Sequence, residues 1–237
     1  MSLDLERLER AAGRFGLLLR GAFHPASEDA VPLLADGQAA GTVVLIGNAG
    51  AAMWTCFRQS PEAHDGERHA IDRWTRRVVA EIAVAHGAGA LFPFQGPPYI
   101  PFQRWAKRAE PVFSSPLGML IHPEYGLWHA YRGALTFPGR LEIPASQAAE
   151  SPCDSCAEKP CLTTCPVSAF TAGGHGGGHR GGYDVTACRS HVLRPEGVDC
   201  LTRGCLARRA CPVGRSYLYE PEQASWHMTA FADPNPR

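Results

Sequence analysis

The sequence predicts an α+β protein in two parts, a layered domain of short strands and amphipathic helices followed by a small cysteine-rich domain. Three observations lead there. Apolar runs bounded by glycine alternate with stretches of helical periodicity as far as Phe137, and a connector broken by Pro138, Gly139 and Pro144 ends that pattern. Beyond it, eight of the nine cysteines lie between 153 and 211. The boundary is expected near residue 148, giving domains 1–148 and 149–237.

Residues 3 to 14 set Leu5, Leu8 and Ala12 at helical spacing among Glu and Arg, an amphipathic opening helix ending at Gly13 or Gly16. Residues 16 to 24 and 42 to 47 are apolar runs of buried-strand type, and Asn48 with the glycines after it supplies a tight strand-to-helix turn. From 67 to 86, Ile71, Trp74, Val78, Ile82 and Ala85 form one stripe with Gly87 at the C-cap position. A strand at 90 to 94 and a helix at 102 to 110 follow. Gly118 to Ile121 and Leu127 to Phe137 are expected to pair as a hairpin turning at Pro123 to Gly126. After Cys211, residues 221 to 231 carry Trp226, Met228 and Phe231, a last helix folded back on the body.

Lys plus Arg and Asp plus Glu both number 23, evenly spread, so nothing resembles a nucleic-acid footprint and no nucleic-acid partner is expected. No apolar run approaches the roughly 20 residues that cross a bilayer, and the N-terminus is charged; the expectation is a cytoplasmic protein with no membrane partner. Clustered thiols in a reducing compartment point to metal rather than disulfides.

Cys153, Cys156, Cys161 and Cys165 follow the spacing C-x2-C-x4-C-x3-C-P, the bacterial ferredoxin run with a middle spacer widened from two residues to four. Cys188, Cys200, Cys205 and Cys211 make a second set, again ending in proline. In two-cluster ferredoxins the cysteine before proline ligates the other cluster. The chain is therefore expected to hold two [4Fe-4S] clusters, one on Cys153, Cys156, Cys161 and Cys211, the other on Cys165, Cys188, Cys200 and Cys205. Structural zinc is the competing reading, since four thiolates also suit zinc, but zinc sites need neither the C-x3-C-P run nor its repeat. Cys56 stands apart and reads as a buried apolar thiol. His175 and His179, in the glycine tract 172 to 182, read as solvated loop histidines, and His191 as a neighbour of a cluster.

This cysteine pattern, with the lone Cys188 in Ala-Cys-Arg-Ser-His-Val-Leu, resembles the ferredoxin domain of epoxyqueuosine reductases and corrinoid reductive dehalogenases. Upstream, Ile121-His122-Pro123-Glu124-Tyr125-Gly126-Leu127-Trp128-His129-Ala130-Tyr131-Arg132-Gly133 resembles a segment of CblC-type cobalamin-processing proteins. The resemblance implies a nitroreductase-like first domain that holds cobalamin. It puts Trp128 in the pocket wall, Arg132 at an anionic group near the cofactor, and His122 and Tyr125 in the same turn. The acidic proton donor of epoxyqueuosine reductases has no carboxylate counterpart in Phe94 to Tyr99, which leaves Tyr99 as the proton donor there. The implied activity is delivery of electrons from two clusters to a corrinoid or another substrate on the first domain. An electron-donor protein of the flavodoxin, ferredoxin or reductase type would be the partner, and a homodimer is among the expectations for a nitroreductase-like fold. The alternative is an electron carrier or docking module whose first domain binds no cobalamin.

Overall fold

The computed structural model describes residues 5–145, 148–171 and 182–233. Most of the glycine tract, with His175 and His179, lies outside these residues. The chain divides into two compact units, Met1–Pro111 with His129–Ala148, and Val112–Trp128 with Ala149–Arg237. A single cut near 148 therefore does not describe it, because residues 112–128 cluster with the cysteine-rich half.

The first unit opens with α1 (Leu5–Gly13), whose Leu8 and Ala12 are buried as the periodicity requires. Four antiparallel strands follow in the order β1 (Leu18–Phe23), β2 (Thr42–Ala49), β6 (His129–Phe137) and β3 (Gly89–Leu91) across the sheet. Every residue of β2 is buried, which explains its near-continuous apolar run. Gly50, at φ 60°, makes the sharp exit from β2 into α2 (Ala52–Phe57). The long helix α3 (Ala70–Ala85) buries Ile71, Trp74, Val78, Val79 and Ile82 and packs on β6 and β3. Helix α4 (Phe102–Ala109) packs on β1 and β2. Trp54, Phe57 and Trp74 meet edge to face or tilted, with ring centroids 5.4 and 5.9 Å apart, and each such buried ring contributes about 1.5–3 kcal/mol.

The expected hairpin is not formed. β5 (Leu120–Ile121) pairs with β4 (Phe113–Ser114) in a separate two-stranded sheet, while β6 pairs with β2 and β3. Only a single bridge, His122 with Gly126, survives at the predicted turn. The physical reason is burial: the apolar stretch of β6 lies between two strands of the first unit, whereas residues 112–128 bury Leu117, Ile121 and Leu127 against the cysteine segment.

The second unit is otherwise helical, with α5 (Pro160–Thr163), α6 (Val185–Val192), α7 (Val198–Arg203), α8 (Leu206–Arg209) and α9 (Pro221–Ala232). α9 packs on α7 and α6. Two glycines fix how residues 122–128 sit in it. Gly126 has φ 58°, and a Cβ there would lie 2.1 Å from the Val213 carbonyl oxygen; Gly214 has φ 73°, and a Cβ there would lie 2.3 Å from the Tyr125 carbonyl oxygen. Both backbones need the left-handed region and the close approach at once. Gly126→Ala is therefore expected to lower the denaturation midpoint of the second unit clearly more than Gly118→Ala, whose positive φ has no neighbour within 4 Å. Equal shifts would show that only the backbone angle matters.

Candidate metal centres

Each cysteine is positioned by a short element. Cys153 follows a turn in which its amide donates to Ser151 Oγ at 3.3 Å. Cys161 lies on α5, begun by Pro160 at the first helical position, and Cys165 comes just after it. Cys188 rides on α6, N-capped by Asp184 through a 2.8 Å bond from the Ala187 amide. Cys200 is on α7, Cys205 is the N-cap residue of α8, and Cys211 ends the turn after it, its amide donating to Arg208 O at 3.2 Å.

These elements gather the cysteines into two groups. Cys153, Cys156, Cys161 and Cys211 line one hollow, open to solvent and about 310 Å³ including its mouth, with Lys159, Pro152, Pro160, Pro212 and Val213 around them. Burial, and after it nearby Cys211 and Cys161, push the Cys153 thiol up to about 11 against the pull of Lys159. Cys161 is raised by burial, then by Cys211 and Cys156. In the other group burial raises Cys188, with Cys165 and Cys200 as neighbouring charges, and burial raises Cys205, with Cys200 and Cys188 beside it. Cys211 lines the hollow of the first motif, and Cys165 lies close enough to Cys188 to raise its thiol. Cys165 Sγ accepts the Ala169 amide at 3.3 Å, and the Tyr183 hydroxyl donates to Cys188.

Buried thiols that raise one another's pKa make a poor anionic cluster by themselves and a good one around a cation. Among the described residues no three His, Cys, Asp or Glu side chains converge tightly enough for one metal ion. A mononuclear zinc site would draw four sulfurs to about 2.3 Å from one point. The first group, four cysteines around one hollow, offers the donor set of a four-thiolate cluster, and Cys165, Cys188, Cys200 and Cys205 offer the same four donors.

The other predicted residues do not form one set. His122, Tyr125 and Trp128 belong to the second unit, Tyr99 and Arg132 to the first. His122 Nδ1 accepts the amides of Glu124 and Tyr125 at 3.1 and 3.3 Å, and its ring stacks on Tyr125 at 4.3 Å. Trp128 is 2% exposed, packs edge-on against Tyr219 at 5.4 Å and lies under the Arg208 guanidinium at 4.4 Å. These three side chains have partners in the turn and core of their own unit. Tyr99 is 70% exposed. His191 lies on the same helix as Cys188, and Cys56 is half-buried, its thiol raised by burial.

Arg132 occupies a feature that the sequence did not announce. Ile46 pairs with Gly133 but Gly47 pairs with Tyr131, so Arg132 is the extra residue of a β-bulge in β6. Bulges re-aim side chains and recur beside functional sites. Here the Arg132 Nε donates to Asn48 Oδ1 at 2.9 Å, and the Arg132 charge pulls on Asp72, whose carboxyl burial raises. Asn48 is fully buried, and its Nδ2 has no partner among the described residues.

Beside it lies a buried ion pair that sequence reading missed. Arg20, 1% exposed, donates through Nη2 and Nε to the Glu110 carboxylate at 2.6 and 3.2 Å and through Nη1 to Asn48 O at 3.3 Å. Its Nη2 lies 3.2 Å from His129 Nδ1, and the Tyr131 hydroxyl donates to Glu110. Burial, with the Glu110 charge adding, holds the Tyr131 hydroxyl well above its usual pKa despite Arg20, so it stays protonated and keeps donating. The available signal was one charged residue, Arg20, inside an apolar strand run.

A layered antiparallel sheet with helices, joined to a unit that gathers eight cysteines in two crossed fours, defines the class of fold. No family model matches the chain, and no curated protein matches it in sequence. Solved structures do. An epoxyqueuosine reductase crystallised with an epoxyqueuosine-modified tRNA-Tyr stem loop matches 93% of this chain and 68% of its own length, at 16% identity and a TM-score of 0.50. The epoxyqueuosine reductase of Streptococcus thermophilus matches 94% of this chain and 70% of its own, at 18% identity and a TM-score of 0.50. More weakly, at a TM-score of 0.46 and 13% identity, a C. elegans B12-trafficking protein CblC is matched. The likeness to the reductases establishes a shared α+β fold.

It also corrects one expectation. The exclusion of nucleic acid rested on basic and acidic residues that are equal in number and evenly spread along the sequence, and a protein of the same fold holds a tRNA stem loop. An even total charge does not describe a local surface, so that exclusion is withdrawn. Among the described residues no helix is long and apolar enough to cross a membrane.

Proposed function

We propose that the chain is an iron-sulfur oxidoreductase in which two [4Fe-4S] clusters pass electrons to an acceptor held on the first unit. The observation that carries this reading is the crossed gathering of Cys153, Cys156, Cys161 and Cys211 and of Cys165, Cys188, Cys200 and Cys205. The clusters, when bound, supply storage and transfer of single electrons. The chain supplies eight thiolates, short helices that fix them, and hydrogen bonds to sulfur from the Ala169 amide and the Tyr183 hydroxyl.

The acceptor site is the bulge at Arg132. A planar, permanently charged guanidinium anchors a carboxylate or phosphate well, and the unpartnered Asn48 Nδ2 beside it is a buried donor in want of an acceptor. For a corrinoid the fit is poorer. Of the contacts that the resemblance implies, only Arg132 stays in the first unit, while His122, Tyr125 and Trp128 are engaged in the second. That engagement favours a second reading, an electron carrier whose first unit binds no cobalamin.

Anaerobic purification followed by titration with hydroxocobalamin separates these readings. The expected protein is brown, with about eight irons per chain. Colourless protein carrying zinc would end the cluster reading. Hydroxocobalamin binding that weakens in Arg132→Ala supports a corrinoid acceptor. Iron-loaded protein that does not bind it leaves the carrier, and equal binding by the variant would place the corrinoid away from Arg132.

A further inference from the structure

The widened spacer of the first motif, Ala157 to Pro160, contains one of the chain's two lysines; the other 21 of its 23 basic residues are arginine. Lys159 has φ 41° and ψ 56°, a left-handed conformation that a side-chain-bearing residue rarely adopts. The conformation turns the side chain back over the motif. Its Nζ donates to Cys153 O at 2.8 Å and to Cys156 O at 3.2 Å, and Lys159 lines the hollow shared by Cys153, Cys156, Cys161 and Cys211. A strained backbone kept in place by such bonds is a reason to look for a role.

We propose that Lys159 is a built-in counter-cation of the first four-cysteine site, which clamps the C-x2-C loop and makes the cluster there easier to reduce. The inference rests on the cluster reading above. Uptake of one electron makes a four-thiolate cluster one unit more negative, with no bond made or broken. A fixed ammonium a short distance away stabilises that added charge. A lysine suits the place because its compact charge has three donors that can reach two carbonyls, whereas an arginine presents a flat fork. Among the described residues no lysine is one of the charges that act on Cys188 or Cys205. The second site's sulfurs are met by the Ala169 amide on Cys165, the Tyr183 hydroxyl on Cys188 and the backbone of Ala207 and Arg208 on Cys205.

The test compares wild-type, Lys159→Asn and Lys159→Arg full chains, purified anaerobically and titrated with dithionite as the electron source while both clusters are followed by EPR. Asparagine tolerates the left-handed backbone and removes the charge. The expected result is unchanged iron content and one midpoint moved negative in Lys159→Asn, tenfold harder reduction or about 59 mV, with the other midpoint unmoved and partial recovery in Lys159→Arg. If Lys159→Asn loses the iron of one site and Lys159→Arg restores it, the clamping charge is supported. Iron retained with both midpoints unmoved, both midpoints moved alike, or iron lost equally in the two variants overturns the proposal. A wild-type chain that binds no iron would instead remove the cluster reading itself.

Discussion

Replacing Cys211 by alanine will cost the protein about four of its about eight irons, and the site that disappears will be the one built from Cys153, Cys156 and Cys161, some fifty residues upstream. The cluster on Cys188, Cys200 and Cys205, closest to Cys211 in sequence, will remain. Cys211 lines the hollow of the first motif, and its charge is felt by Cys153 and Cys161. Cys165→Ala gives the mirror outcome, because the charge of Cys165 is felt at Cys188. Each exchange also loosens the unit as a whole, since it unties one motif from the other. Iron analysis with EPR of the remaining cluster reads the result. Loss of the cluster nearest in sequence, in either variant, would refute the crossed arrangement.

Glu110→Ala should be the most damaging substitution in the first unit, lowering stability by about 3–5 kcal/mol. The loss follows from what remains behind. Arg20 is 1% exposed, and without the carboxylate its charge stays buried beside the Asn48 carbonyl, His129 and the Tyr131 ring, with the anion that pairs it gone. Tyr131 loses its acceptor at the same time. The double variant Arg20→Met/Glu110→Leu should recover most of the loss, because removing both charges also removes the cost of desolvating them. Urea denaturation of the three proteins measures this. A double variant as unstable as Glu110→Ala would show that packing, not the stranded charge, is responsible.

How much of this could be read from the sequence depends on how local each signal is. Helix α3 was legible because its stripe repeats over four turns, and β2 because a fully buried strand is apolar throughout. The gathering of cysteines in the second unit was legible because their spacing is written along the chain. The hairpin was misread because β4 and β5 have two residues each, too short to carry a period, while β6 finds both its partners far away in sequence. The bulge at Arg132 depends on register against β2, and the Arg20–Glu110 pair spans 90 residues; neither leaves a local pattern. His122, Tyr125 and Trp128 look like pocket residues in sequence since aromatic and imidazole side chains serve turns and cores as readily as ligands.

The path of the chain between its two units has a consequence for how such a protein can be divided or inherited. It passes from the first unit to the second at 111–112, returns at 128–129, and leaves again at 148–149. A gene fragment ending at 148 would carry residues 112–128 away from the cysteines they pack on. A fragment starting at 149 would lack the turn whose Gly126 meets the backbone at Val213. No single crossover point can exchange one half for a foreign one, so the two halves must be inherited, and altered, together.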